Sequence, residues 1–284
     1  MHTQQPTLAT RFAGSTRVLR SDQPLTEDQM QRVAPSIFAA GKHASRSGRY
    51  AYIPTADVLR GLRAEGFEPF MVAQGVSRIA GKTGYTKHMV RLRHAAQARS
   101  RPEANQISLI NSHDRASSYQ LLEGAFRFVC CNGLVVGDVV DDIRIPHRGN
   151  VRDEVIQGAV RVLDRFDAVD ASVDAMKALT LAPAQEQAFA AAALALRYGP
   201  PQEGQPPAPI TARQLTQPRR AEDMGASLWS SFQRVQENTL RGGLTGRSAN
   251  GRRMHTRPVG SIDRSVSLNR ALWVLAEAMR RLAG

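Results

Sequence analysis

Between Ile110 and Asp138 the sequence reads INSHDRASSYQLLEGAFRFVCCNGLVVGD, a crowding of residue types that can do chemistry. His113 and Asp114, with Asn111 beside them and His88, His94 and Glu123 as potential neighbours in a fold, are donors suited to a hard or borderline divalent cation. Their spacing argues against that use. Adjacent residues of a strand point to opposite faces, and no HExxH-like pair sets two ligands on one helix face. Asn111, Ser112, His113 and Asp114 suit equally the capping of a strand-to-helix turn, where short polar side chains bind free backbone amides. This structural role is the one expected. Asn132 and Gly133 belong to it as well, since both accept the left-handed position that closes a helix. Cys130, flanked by Phe128, Val129 and Leu134, reads as a buried thiol rather than a nucleophile. Cys130 and Cys131 are the only cysteines and, as neighbours, are strained against pairing. Neither a disulfide framework nor a thiolate zinc site is expected, and no cofactor or metal is expected either.

Phosphate binding has broader support. Of a net charge of +13, the segment Gly41–Arg101 has 12 basic against 3 acidic residues, and Pro201–Gly284 has 13 against 6. The middle, Pro102–Pro200, is mildly acidic with 9 against 13. Clustered cations of this kind favour a polyanion through counterion release. In KTGYTKHMVRLRH, Lys82, Lys87, Arg91 and Arg93 interleave with Tyr85, and alternation puts Lys87, Arg91 and Arg93 on one strand face. Phosphates would lie along that face, with Tyr85 stacking on a base. RGGLTGRSANGRRMHTRP carries Arg241, Arg247, Arg252, Arg253 and Arg257 with no acid, and its glycines allow close backbone approach. With no partner bound, self-repulsion should keep this loop mobile.

The elements that must hold these residues follow from periodicity. A helix is expected over about 56–65, then three strands in FEPFMVAQGVSRI, YTKHMVRLRHA and NQISLINSHD, forming an antiparallel meander. Ser117–Cys131 places Leu121, Leu122, Ala125, Phe126, Phe128 and Val129 at helical intervals and reads as a helix. LVVGDVVDDIRIPHRG reads as a short hairpin, and Val155 to Val173 as one long amphipathic helix. Pro183 opens an Ala-rich helix, and GPPQEGQPPAP forms a linker. Two helices close the chain, about 221–240 and 263–282. The fold class is therefore α+β: a meander packed on helices, with a helical C-terminal part. The divisions are a 1–35 extension, a 36–198 core domain, a 199–212 linker and a 213–284 helical region. No apolar run reaches the roughly 20 residues a bilayer span needs, and the start lacks a signal-peptide core, so a cytoplasmic protein without a membrane partner is expected.

NSHDRASSYQLLEGAFRFVCCNGLVVGD, followed by IPHRGNV, VIQGAVRVLDRFD, RGGLTGRSANGRRMHTRPV and SIDRSVSLNRALWVLAEAM, resembles the domain-of-unknown-function 932 family of phage- and plasmid-related proteins. The resemblance runs from Ser36 to the end. Arg115 stands where that family commonly has glycine. It implies a mobile-element context and no assigned activity. The order helix, three strands, helix is also similar to the core of single-strand annealing recombinases, which would bring Arg127 and His113 to a basic groove. The function expected is a single-stranded nucleic-acid-binding or annealing protein of a plasmid or prophage, acting in recombination or replication. Its partner would be single-stranded DNA, with homo-oligomers possible and binding favoured over catalysis. The alternatives are a metal-dependent nuclease or hydrolase using His113 and Asp114, and a protein-interaction module in element maintenance or host defence.

Overall fold

A computed structural model describes residues 16–39, 41, 53–77, 79, 82–95, 103–114, 117–127, 132–135, 143–147 and 149–283. Its contacts divide the chain into two units: residues 1–166 with 260–262, and residues 167–259 with 263–284. The division falls inside the stretch that reads as one long helix, and the Pro-rich segment lies within the second unit.

In the first unit an antiparallel sheet is ordered β1 (Thr16–Arg20), β2 (Phe67–Gly75), β3 (His88–His94), β4 (Glu103–Asn111), β5 (Tyr119–Arg127) and β6 (Asn132–Val135). A seventh strand, β7 (Ile143–Ile145), also pairs with β5. The expected α+β class and the meander β2–β3–β4 are present. β1 extends the meander from a region that reads as an extension.

The expected helix over 117–131 is corrected to strand β5. Paired residues Leu109 and Leu121, and Ser108 and Leu122, lie on opposite faces of the sheet, and all four are buried. When both faces are covered, apolar residues no longer alternate, and a strand imitates helical spacing. Gly124 is poor in a helix interior and so argues against the helical reading. Asn132 and Gly133 consequently begin β6 instead of capping a helix. The expected hairpin is also replaced: β6 pairs with Gly124–Arg127 and β7 with Tyr119–Leu121, end to end along one edge of β5.

One face of the sheet carries the apolar core. Val72, Val90, Leu92, Ile107, Leu109 and Leu121 pack there with α1 (Glu27–Val33), α2 (Thr55–Ala64) and α3 (Val151–Leu163). Thr26 opens α1 with a capping box: its hydroxyl accepts the Gln29 N–H while Gln29 Oε1 accepts the Thr26 N–H. The long helix expected from Val155 to Val173 is broken at Asp164–Arg165 into α3 and α4 (Phe166–Ala178). Arg165 turns to pair with Glu123 at 3.0 Å, and Phe166 stays in the sheet's core.

The second unit is helical, with α4, α5 (Pro183–Tyr198), α6 (Ala212–Leu215), α7 (Leu228–Arg241) and α8 (Ile262–Ala283). Ser227 caps α7. This helix is buried nearly all round, its Trp229 stacked on Phe232 and Phe232 edge-on to Trp273. Several of its buried polar side chains have specific partners, while the Thr239 hydroxyl finds none among the described residues. Asn238 donates to the carbonyls of Leu215 and Gln217 and accepts from Arg219, and Gln236 donates to Asn269. The Asn238 bonds hold the chain between α6 and α7 against the helix, and the Gln236 bond ties α7 to α8. No described helix is long and apolar enough to cross a membrane.

Candidate nucleic-acid interface

The polar motif at the end of β4 belongs to a buried network rather than to a helix cap. Thr55, the first residue of α2, places Oγ1 2.9 Å from His88 Nε2, 3.2 Å from the Tyr119 hydroxyl and 3.4 Å from His113 Nε2, and accepts from Asn111 Nδ2 at 3.1 Å. Ser36 Oγ lies 2.9 Å from His88 Nδ1 and donates to Gln74 Oε1 at 2.7 Å. Gln74 in turn donates through Nε2 to the Thr83 carbonyl. With the Ser36 proton committed to Gln74, Ser36 accepts from His88, so His88 carries its proton on Nδ1 and accepts from Thr55 through Nε2. The His147 ring completes the cluster, 5.1 Å from Tyr119 and 6.5 Å from His113.

Thr55, Ser36, His88, Asn111, His113 and Tyr119 are buried without measurable exposure. Burial, and after it the His113 imidazole, pushes His88 down to about 3, with the Thr86 carbonyl opposing and His147 adding a smaller effect in the same direction. The chain of donors resembles a hydroxyl–imidazole relay in order, but a base held this far below neutrality abstracts protons poorly at pH 7. What it does is fix the start of α2 against three strands. Asp114, half-buried, follows His113 in the chain. Among the described residues no group of three His, Cys, Asp or Glu side chains is placed to hold a metal ion. Sequence reading singled out Asn111 and His113 but missed Ser36, Thr55, Gln74, Tyr119 and His147. These stand between positions 36 and 147 with no common spacing, and only the sheet brings them together.

The expected basic face of β3 is corrected by burial. Arg91 and Arg93 do share a strand face, but they are 5% and 8% exposed. The Arg93 guanidinium sits 4.2 Å above the Phe70 ring. Met71, Ala73, Met89, Ile110 and Leu122, on this same face by register, are buried too. A polymer backbone therefore has no open track along these arginines. Lys82, Tyr85 and Lys87 lie outside the strand and are half-buried, the Tyr85 carbonyl accepting the His113 N–H at 3.0 Å. Arg127 ends β5, its side chain outside the described residues, as are Arg115, Cys130 and Cys131.

The arginine-rich segment, expected to be a mobile loop, is a built hairpin of β8 (Thr245–Arg247) and β9 (Arg253–His255). Two features order it. Gly242, at φ +67°, lets the chain leave α7 where a Cβ would stand 2.6 Å from the Arg257 backbone. Gly246 lies against Pro209, whose carbonyl oxygen would be 2.0 Å from an added Cβ and which accepts the Arg247 N–H at 2.9 Å. Gln214 Nε2 adds a bond to the Thr245 carbonyl. One face of the ribbon, with Gly246 and Met254, turns towards the body; the other exposes Thr245, Arg247, Arg253 and His255.

Arg247 and Arg253 are direct cross-strand partners, an arrangement in which like charges repel. Arg247 donates to the Gly251 carbonyl, and among the described residues no carboxylate pairs with Arg247, Arg252, Arg253 or Arg257. All four are exposed. Arg241 differs: it pairs with Glu237 at 2.8 Å on its own helix. The structure thus brings four of the five C-terminal arginines to one accessible hairpin and its flank, and separates the β3 arginines from solvent.

With this fold and this distribution of charge, residues 42–273 match the domain-of-unknown-function family DUF932. The chain belongs to that family. It is 48% identical over 272 residues to the UPF0380 protein YafZ of Escherichia coli (strain K12), covering 96% of this chain and 97% of that one. To the UPF0380 protein YfjQ of the same organism it is 47% identical, with the same coverage, 96% and 97%. No solved structure matches. The likeness to annealing recombinases rested on a helix after the third strand; that segment being β5, the shared order is lost.

Proposed function

We propose that this protein binds nucleic acid through its phosphate backbone, with single-stranded DNA as the preferred form. One observation carries the reading: a seated β-hairpin presents exposed arginines in direct cross-strand opposition, with no carboxylate among the described residues to neutralise them. A sequence that opposes Arg247 to Arg253 accepts a repulsion of roughly 0.2–1 kcal/mol in the free protein. A phosphodiester between the two guanidinium forks removes the repulsion and gains charge-assisted hydrogen bonds from both. Gly251 and Gly243, open to solvent, leave room for a backbone to approach. Because these contacts reach phosphate rather than base edges, the binding is insensitive to sequence.

The test is fluorescence anisotropy of labelled single-stranded and duplex DNA across a salt series. Tight binding at low salt that weakens steeply as salt rises is the expected result, with the single strand bound better. Undetectable binding at low salt overturns the proposal.

A further inference from the structure

We infer that Arg91, with Arg20, Arg93 and Ser108, forms an enclosed site for a single phosphate-class anion on the sheet face opposite the apolar core. The register sets out the site. Arg20 on β1 is paired with Met71 on β2, Met71 with Arg91 on β3, Arg91 with Ser108 on β4, and paired residues share a face. Arg93 lies two residues further along β3, on the same face. One row across four strands therefore holds two guanidinium groups and a hydroxyl, with a third guanidinium beside it.

Two atoms in this row lack what burial demands. Arg91 is 5% exposed and among the described residues its Nε finds no hydrogen-bond partner; Ser108 has no exposure and its Oγ finds none there either. They stand directly opposite one another. Buried polar groups are nearly always bonded, and a buried guanidinium ordinarily has a counter-ion. Here the charges acting on Arg91 are those of Arg20 and Arg93, both of its own sign, and together with the larger effect of burial they bring Arg91 down to about 9. An anion seated between Arg91 and Ser108 satisfies both atoms and supplies Arg91 with a charge of opposite sign.

Phosphate fits this donor set better than a carboxylate does. Several cations and a hydroxyl can converge on the oxygens of a tetrahedral group, whereas a carboxylate offers two oxygens in a plane. With Arg91 and Arg93 so little exposed, the ligand is a small ion or the phosphoryl end of a small molecule. It is not a polymer backbone, and the site is independent of the hairpin. The two sources of the phosphoryl group, free phosphate and a nucleoside 5′-monophosphate, share this chemistry and are separated by titrating each.

The experiment is isothermal titration calorimetry of the full chain with inorganic phosphate, adenosine 5′-monophosphate, acetate and chloride, accompanied by thermal melting. Phosphate or the monophosphate is expected to bind with one-to-one stoichiometry and raise Tm, while acetate and chloride do neither. Arg91→Met, which keeps the unbranched stem of the side chain without the charged head, is expected to abolish binding, and Arg91→Lys to retain part of it. Ser108→Ala removes one hydrogen bond to a charged group and is expected to weaken binding at least about tenfold. No binding of either phosphate compound to the parent protein overturns the inference, as does an equal response to chloride. If Arg91→Met fails to fold, Ser108→Ala decides: unchanged affinity overturns the site.

Discussion

Two sets of arginines in this chain have nearly the same sequence pattern and opposite surroundings. MVRLRH on β3 and GRRMH at β9 both mix basic and apolar residues within a strand, yet Arg91 and Arg93 are buried while Arg252 and Arg253 are exposed. The difference is made by the partners of each strand. β3 is central, with β2 and β4 on its edges and residues buried on both its faces; β9 has one neighbour and rests one face on the body. The same guanidinium thus answers to different variables. In the sheet it responds to packing and to any anion that shares its enclosure, and at the hairpin to ionic strength.

The largest contrast should appear in acid. His88 titrates at about 6.5 when unfolded and about 3 when folded, so between these values the unfolded state binds the extra proton. Stability contributed by neutral His88 is present above about pH 6.5 and is lost as pH falls toward 3, by up to about 1.4 kcal/mol per pH unit. Thermal melts of the parent protein from pH 7 to 4 should show this fall, and His88→Gln should flatten it while lowering Tm at pH 7. Identical slopes in the two proteins would place the acid sensitivity elsewhere.

Next in size is a change that strikes the hairpin alone. Gly246→Ala drives a methyl group into the Pro209 carbonyl, which is backbone and cannot rotate away. A loss of about 1–3 kcal/mol is expected, comparable with overpacking a core. Amide exchange should rise first at Thr245–Arg247 and Arg253–His255, with the protection of β3 and β4 unchanged.

Legibility divides along the same line. β2, β3 and β4 are readable because their alternation survives, α2 and α8 because their apolar stripes do, and α5 because Pro183 marks its first turn. β5 is unreadable as a strand: Leu121 and Leu122 face opposite layers and are both buried, which erases the two-residue period. β1 contributes only Thr16–Arg20, too short to show a period by itself. The hairpin arginines are visible as composition, but their cross-strand opposition depends on Gly246 meeting Pro209, a contact across 37 positions that no local pattern encodes.

A smaller effect concerns charge. Replacing Arg247, Arg252 and Arg253 together by Ala should leave stability within about 0.5 kcal/mol, since all three are exposed. The slope of log affinity for single-stranded DNA against log salt should drop by about 2, for three lost phosphate contacts. A fall in Tm with no change of slope would show that the arginines serve the hairpin rather than a ligand. Smallest of all, Arg253→Thr alone should raise stability by a few tenths of a kcal/mol through relief of its repulsion with Arg247, read as a shift in the denaturation midpoint.

The hydroxyl of Thr16 on β1 donates to the carbonyl of Gly260, 244 residues away. A chain emerging from the ribosome amino end first makes the outer strand of this sheet 244 residues before that acceptor. The helical residues 167–259 are all made in the interval. The Thr16 hydroxyl therefore waits for this acceptor until the whole of residues 167–259 has been made, so the contact belongs to a late stage of folding.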